Sequence, residues 1–179
     1  MTERAIVIAH RGASGYLPEH TLVGKALAYG LGADYLEQDV IATRDAELVV
    51  LHDLYLDDVS DDLGSGLRLI QLVGSEPEYA ELLTTAGLAR VAGYAFGLGP
   101  KHTQLVADEG GRPRVTPLTT RAHELGLQLH PYTFRREELP RYAATLEQLL
   151  EIFLVQARVD GVFCDFPDVA ARVRDSIGR

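Results

Sequence analysis

The stretch Ala5-Ile6-Val7-Ile8-Ala9-His10-Arg11-Gly12 decides the fold. Five apolar residues in a row read as a strand buried on both faces, because a strand with one wet face would alternate. Polar chemistry begins where the strand stops, with an imidazole and a guanidinium set before a glycine. A second stretch of the same kind, Tyr35-Leu36-Glu37-Gln38-Asp39-Val40, carries two carboxylates in a run with β-character. Alternate residues of a strand share a face, so Glu37 and Asp39 point one way while Leu36, Gln38 and Val40 point the other. Two acids aimed at one place repel unless a cation or donors compensate, which suggests a hard-metal site; an exposed edge with solvated acids is the alternative.

Working outward, Thr21 caps a helix carrying Leu22, Ala26, Leu27 and Gly30, closed by Gly32. Thr43 to Ala46 reads as a turn into a strand Leu48 to Leu51, which ends in His52-Asp53. Leu56 to Gly66 lacks periodicity and reads as a loop, and strand character resumes from Leu67 to Val73. Pro77 starts a helix with Gly87 near its end, and Val91 to Gly99 has room for a short strand. Thr116-Pro117 begins a helix that Gly126 terminates, followed by a strand Leu127 to Phe134 bearing His130 and Tyr132. Pro140 is expected to open the longest helix, with Tyr142, Leu146, Leu149, Leu150 and Phe153 at helical spacing as core. Gly161 to Asp165 is a last short strand, and Pro167 starts a terminal helix with Val169, Val173 and Ile177 facing in. Strand alternating with helix predicts a parallel sheet whose functional groups gather at the carboxyl ends of the strands.

The 179 residues, 46% of them hydrophobic, suit one globular domain spanning residues 1–179. A net charge of -9 without a Lys/Arg cluster argues against a nucleic-acid surface; Arg135-Arg136 is only a pair. No apolar run is long enough for a membrane span. The start reads as lacking a signal peptide, so the chain is expected in the cytoplasm, or in the periplasm if a leader was removed. The lone Cys164 allows no internal disulfide and reads as a small buried hydrophobe.

His10-Arg11-Gly12-Ala13, Pro18-Glu19-His20-Thr21, Gly32-Ala33-Asp34, Glu37-Gln38-Asp39-Val40, Thr43-Arg44-Asp45 and His52-Asp53, in this order, resemble the signature of glycerophosphodiester phosphodiesterases. The likeness continues in His130-Pro131-Tyr132-Thr133 and in Asp160 to Asp168, which are similar to that family's last two barrel strands. The variant with His20 and His130-Pro131-Tyr132 looks like the bacterial, calcium-dependent, periplasmic type. The resemblance implies a TIM-type (β/α) barrel and metal-dependent hydrolysis of glycerophosphodiesters to glycerol 3-phosphate and an alcohol. It implies Glu37 and Asp39 as ligands of a divalent cation, Ca²⁺ first and Mg²⁺ second. It implies Arg11 as the phosphodiester-binding cation, His130 lining the pocket, and His10 and His52 as the acid/base pair. The family's nucleophile is thought to be the substrate's own glycerol hydroxyl. Against these roles stand plainer ones, a structural ion pair for Arg11 and a packed barrel histidine for His130; Glu19 reads as a loop-anchoring acceptor, with a place beside the metal site as its alternative. His102 and His123 read as surface residues, Asp45 and Asp53 as turn and strand-end acceptors.

A TIM barrel usually needs about 250 residues. Against the family's pattern, the chain passes from Leu56-Asp57-Asp58-Val59-Ser60 directly to Leu69-Ile70-Gln71-Leu72-Val73, which looks like a strand of the second half. The expectation is an internal deletion with its junction near 58–68, a shortened barrel with about six of eight βα units, and loss of a Glu-x-Lys pair that supplies a third carboxylate. Open barrel edges would then be free to pair with a second copy in a homodimer. The alternative is a non-catalytic truncated barrel that binds a phosphate ligand or a partner subunit.

Overall fold

Strand β1 (Ile6–Ala9) lies between two parallel neighbours, as its unbroken apolar run demands: Val7 and Ala9 are fully buried against the helices, while Ile6 and Ile8 face the opposite way. The computed structural model describes residues 4–42, 48–50 and 68–178. His52, Asp45, Asp53 and residues 58–67 of the expected junction near 58–68 lie outside the described residues.

After β1 come helix α1 (Leu22–Gly30), β2 (Tyr35–Leu36), and a small antiparallel pair, β3 (Ile41–Ala42) with β4 (Leu48–Val49). Next are β5 (Ile70–Val73), a 3₁₀ segment Pro77–Leu83, α2 (Thr85–Ala92) and β6 (Gly97–Pro100). A short α3 (His102–Leu105) leads into the hairpin β7 (Val106–Asp108) and β8 (Pro113–Val115), then α4 (Pro117–Glu124) and β9 (Gln128–Leu129). The chain ends with α5 (Leu146–Glu151), a π-helical turn Ile152–Gln156, β10 (Gly161–Cys164) and α6 (Pro167–Ser176).

The parallel strands form two three-stranded runs, β5-β6-β9 and β10-β1-β2. A parallel bridge Phe134↔Cys164 joins them, with backbone bonds from Asp160 N–H to Leu129 O and from Phe163 N–H to Pro131 O. The order around the sheet is therefore β5-β6-β9-β10-β1-β2, six parallel staves of a shortened α/β barrel. Among the described residues no strand pairs with the outer edge of β2 or of β5. Tyr35, Leu36, Leu69 and Leu72 are exposed along those two edges.

The main core packs α2, α4, α5 and α6 against the outer face of the sheet. Phe134 and Phe153 meet edge-to-face at 4.9 Å, a favoured aromatic geometry, both fully buried. A separate small cluster of Ala9, Ala13 and Ala28 lets α1 approach β1 closely. One polar cross-brace ties the layers together. Asp34 accepts from the Val7 N–H (2.8 Å), from Arg4 Nη2 (2.6 Å) and from the buried Arg174 Nη1 (2.6 Å), so α6 is fastened to the strand it covers.

Several sequence expectations change. The strand expected to carry Glu37 and Asp39 ends at Leu36, so both acids lie just beyond its carboxyl end. The segment Leu127 to Phe134 is a strand only at Gln128–Leu129 and continues as single bridges. Pro140 does not open a helix; Thr145 does, its hydroxyl accepting from the Gln148 N–H at 3.2 Å, while Gln148 caps the Ala144 N–H. Gly87 lies in the first turn of α2, where a Cβ would meet Glu81 O at 2.1 Å. His102 is buried, packed beside Phe134 and Phe153. Among the described residues no helix is long and apolar enough to cross a membrane.

Candidate active site

Side-chain alternation sends Ile6 and Ile8 of β1 and His10 just beyond it into the barrel, and Tyr35, Glu37 and Asp39 after α1 to the same side. At the carboxyl end of these strands His10, Arg11, Glu37, Asp39, Leu72, Tyr132, Thr133, Arg135 and Phe163 line a cavity of about 300 Å³. This is the end of a parallel barrel at which chemistry is expected.

The turn after β1 sets the first two groups. Arg11 adopts φ 56° and Gly12 φ 94°; a Cβ at Gly12 would come within 3.0 Å of the α1 backbone at Gly24. The turn aims the Arg11 N–H at Glu37 Oε2 (2.8 Å). It also folds the Arg11 side chain back, so that Nη1 donates to Glu19 Oε2 at 2.8 Å and Nε lies 3.1 Å from Asp39 Oδ2. The same Asp39 oxygen faces His20 Nε2 at 3.1 Å. Glu19 thus holds the guanidinium, in keeping with an anchoring role, and Arg11 is itself part of an ion-pair network.

His10 is fixed from the other side. Its Nδ1 lies 2.8 Å from Asp165 Oδ1, and because a carboxylate can only accept, Nδ1 carries the proton. Nε2 is then the nitrogen available for proton transfer. Asp165, just past β10, also lies 3.2 Å from Arg135 Nε; Asp165 and His10 are largely shielded from water, while Arg135 is partly exposed. The sequence reading passed over Asp165 and Arg135 as site residues. The signal was there for Asp165, an acid at the end of an apolar strand; for Arg135 only the fold supplies it.

Of the expected site residues, His10, Arg11, Glu37 and Asp39 come together in one cavity. His130 does not join them. It lies one layer deeper, buried in a second cavity of about 250 Å³, with Nε2 3.1 Å from Gln128 Oε1 and Nδ1 without a hydrogen-bond partner. Burial pushes its imidazole down to about 4, the nearby Asp160 opposing only in part, so it is neutral at pH 7. Cys164 is fully buried and burial raises its thiol, as expected of an inert packed cysteine.

For a divalent cation, Glu37 and Asp39 offer the hard oxygen donors that Ca²⁺ and Mg²⁺ prefer, and both line the cavity. Among the described residues no group of three or more His, Cys, Asp or Glu is set to hold a metal. The donor chemistry fits a cation that takes its remaining ligands from water and from a substrate phosphate.

The sequence matches the model of the glycerophosphoryl diester phosphodiesterase family over residues 10–92 and 63–169. The glycerophosphodiester phosphodiesterase of Haemophilus influenzae is 61% identical over 61 residues, 34% of this chain and 17% of that protein. That of Bacillus subtilis is 44% identical over 62 residues, 35% of this chain and 21% of that protein. The chain thus spans about a fifth or less of these curated relatives. The crystal structure of a glycerophosphodiester phosphodiesterase from Thermotoga maritima superimposes with a TM-score of 0.64 at 17% identity, covering 97% of this chain and 99% of that one. A phosphodiesterase from Oleispira antarctica, in complex with the product sn-glycerol-3-phosphate, gives 0.59 at 18% identity, covering 96% and 97%. At these identities the structural likeness is one of fold; the family model, which spans nearly the whole chain, carries the assignment. With its barrel, its His10-Arg11 turn and its Glu37/Asp39 pair at the strand ends, the chain belongs to the glycerophosphoryl diester phosphodiesterase family.

Proposed function

We propose that this chain hydrolyses glycerophosphodiesters, releasing glycerol 3-phosphate and an alcohol, with a divalent cation held by Glu37 and Asp39. The observation that carries the reading is the convergence on one cavity of an oriented imidazole, two guanidinium groups and two carboxylates. Arg11 and Arg135 present forked cations suited to the non-bridging oxygens of a phosphodiester. His10, with Nδ1 committed to Asp165, has Nε2 free to exchange a proton with the attacking or leaving oxygen. A cation at Glu37 and Asp39, Ca²⁺ or Mg²⁺, would neutralise charge on the phosphate. His52, the expected second acid/base group, lies outside the described residues.

A second reading is favoured by one contact set. Asp39 Oδ2 is engaged by both Arg11 and His20, which leaves it a weaker metal ligand than a free carboxylate. On that reading the barrel binds a phosphate ligand without turning it over. Thermal unfolding in millimolar Ca²⁺ separates the two when done on wild type and Glu37→Ala, beside a glycerophosphocholine hydrolysis assay. A stabilisation lost in the variant, with turnover, supports the enzyme; turnover that ignores both metal and Glu37 contradicts it.

A further inference from the structure

His10 and Asp165 are 155 residues apart in the chain, so the 2.8 Å bond between them requires two loops to be held in one place. His10 is fixed by its neighbours on the sheet. Its N–H donates to Cys164 O (3.2 Å), and its carbonyl accepts from the Ser14 hydroxyl (2.7 Å). Asp165 is the middle residue of a tight turn between β10 and α6, in which the Phe166 N–H points at Cys164 Sγ (3.4 Å). Both flanking side chains are buried, Cys164 fully and Phe166 to 2% exposure. Where Phe166 is seated therefore decides where Asp165 stands.

The Phe166 ring is held on three sides. Arg136 lies over its face, the guanidinium carbon 4.3 Å from the centroid, and Tyr16 meets it at 5.1 Å with the ring planes at 83°. The tip of the ring abuts Gly15, where a Cβ would fall 2.5 Å from Cε1 and from Cζ. Two hydrogen bonds close the loops around it: the Gly15 N–H donates to the Asp165 carbonyl (2.9 Å), and the Tyr16 hydroxyl donates to Asp168 Oδ1 (2.7 Å). Gly15, Tyr16, Arg136 and Phe166 do not line the catalytic cavity, yet they bracket the residue that orients its imidazole. A methyl group at Gly15 would need about 1 Å of movement to reach ordinary contact with the ring, twice the ~0.5 Å within which a catalytic group must be held.

We propose that Gly15 and Phe166 are positioning residues for the reaction: the ring seated against Gly15 fixes the main chain of Asp165, which in turn holds His10 with its proton on Nδ1 and with Nε2 bare. The inference rests on the phosphodiester reading above and extends it to residues that act only through Asp165.

Gly15→Ala is the perturbation to make. Gly15 is not among the glycines with a left-handed φ, so the added methyl meets the ring and nothing nearer. Long-range ¹⁵N–¹H correlation spectra, recorded where the imidazole is neutral and assigned against His10→Gln, report the His10 tautomer without any turnover. Wild type is expected to carry the proton on Nδ1 alone, and Gly15→Ala to show both tautomers. In glycerophosphocholine hydrolysis Gly15→Ala should lose about fivefold in kcat with KM within about twofold, and in the Asp165→Asn background it should cost nothing further. Should Gly15→Ala fail to fold, Arg136→Gln removes the cation from the ring face on an exposed side chain and should lower kcat about twofold, again only where the Asp165 carboxylate is present. A Gly15→Ala protein that melts lower but keeps the wild-type kcat and the Nδ1 tautomer overturns the proposal. An equal loss of kcat with and without the Asp165 carboxylate also overturns it, as does wild-type His10 protonated on Nε2. If wild type shows no turnover, the phosphodiester reading fails while the tautomer spectra still decide the positioning, so the two ideas fail separately.

Discussion

Replacing Asp165 with Asn keeps the shape of the side chain and removes its charge. In the structure Asp165 Oδ1 takes the His10 Nδ1 proton at 2.8 Å and Oδ2 lies 3.2 Å from Arg135 Nε. The amide can offer His10 one neutral acceptor oxygen, or an N–H that would force the wrong tautomer, and it cannot neutralise Arg135. A hydrogen bond to a charged group is worth about 1.5–3 kcal/mol, roughly twice a neutral one, so the substitution removes about 1–2 kcal/mol of orientation and charge pairing. At about 1.4 kcal/mol per decade, that is a fall of roughly 5–30-fold in kcat/KM. The assay is steady-state release of glycerol 3-phosphate from glycerophosphocholine, with circular dichroism and melting to show that the variant folds. The fall should be mostly in kcat, because Asp165 acts through His10. A folded Asp165→Asn protein within about threefold of wild type in kcat/KM refutes the orienting role.

Other consequences are as concrete. Asp34→Ala leaves the buried Arg174 guanidinium without its main partner and frees the Val7 N–H; breaking such a pair costs about 3 kcal/mol, or roughly 6–12 °C in melting temperature, read by calorimetry. Phe153→Ala opens a cavity under α5 and should cost about 3–5 kcal/mol in a denaturant titration. Stability should fall as pH drops from about 6.5 towards 4: burial holds both His102 and His130 down to about 4, so the unfolded chain binds protons there that the folded chain refuses. For His102 the adjacent Lys101 adds to the effect of burial and Glu138 opposes it, and His130→Gln should flatten part of the slope. Millimolar Ca²⁺ at 10–100 times its dissociation constant should add about 1.4–2.7 kcal/mol to wild type and nothing to Glu37→Ala, measured by thermal shift.

The strand ends were the legible part of this chain, because an apolar run that stops at a polar pair marks a buried strand and its functional end together. His10-Arg11 follows β1 as that rule puts it, whereas Glu37 and Asp39, read as lying within a strand, come just past the end of β2. The cap at Thr21 was legible for the same local reason: its hydroxyl accepts from the Gly24 N–H at 3.1 Å. What failed was decided at longer range or by competing local bonds. Pro140 suits a first helical turn, yet Thr145 and Gln148 together satisfy the end of α5 and start it five residues later. The hairpin of β7 and β8 went unread because its strands are three residues each; its turn, Asp108 Oδ1 accepting from the Gly111 N–H, was the available sign. His102 looked like a surface residue beside Lys101, and only the packing of Phe134 and Phe153 shows why it is buried. Asp34, part of the family-like pattern, turns out to brace α6 against β1 and stands outside the cavity.

Under the proposed function, the cavity at the strand ends cleaves phosphodiesters using His10. The most direct measurement is the initial rate of glycerol 3-phosphate release from glycerophosphocholine in millimolar Ca²⁺, for wild type and for His10→Ala purified in parallel. A positioned general acid or base contributes about 10²–10⁴-fold, so the variant should retain at most about one per cent of the wild-type rate while still folding. A His10→Ala protein that turns over as fast as wild type, or a folded wild type with no turnover above the uncatalysed rate, would contradict it.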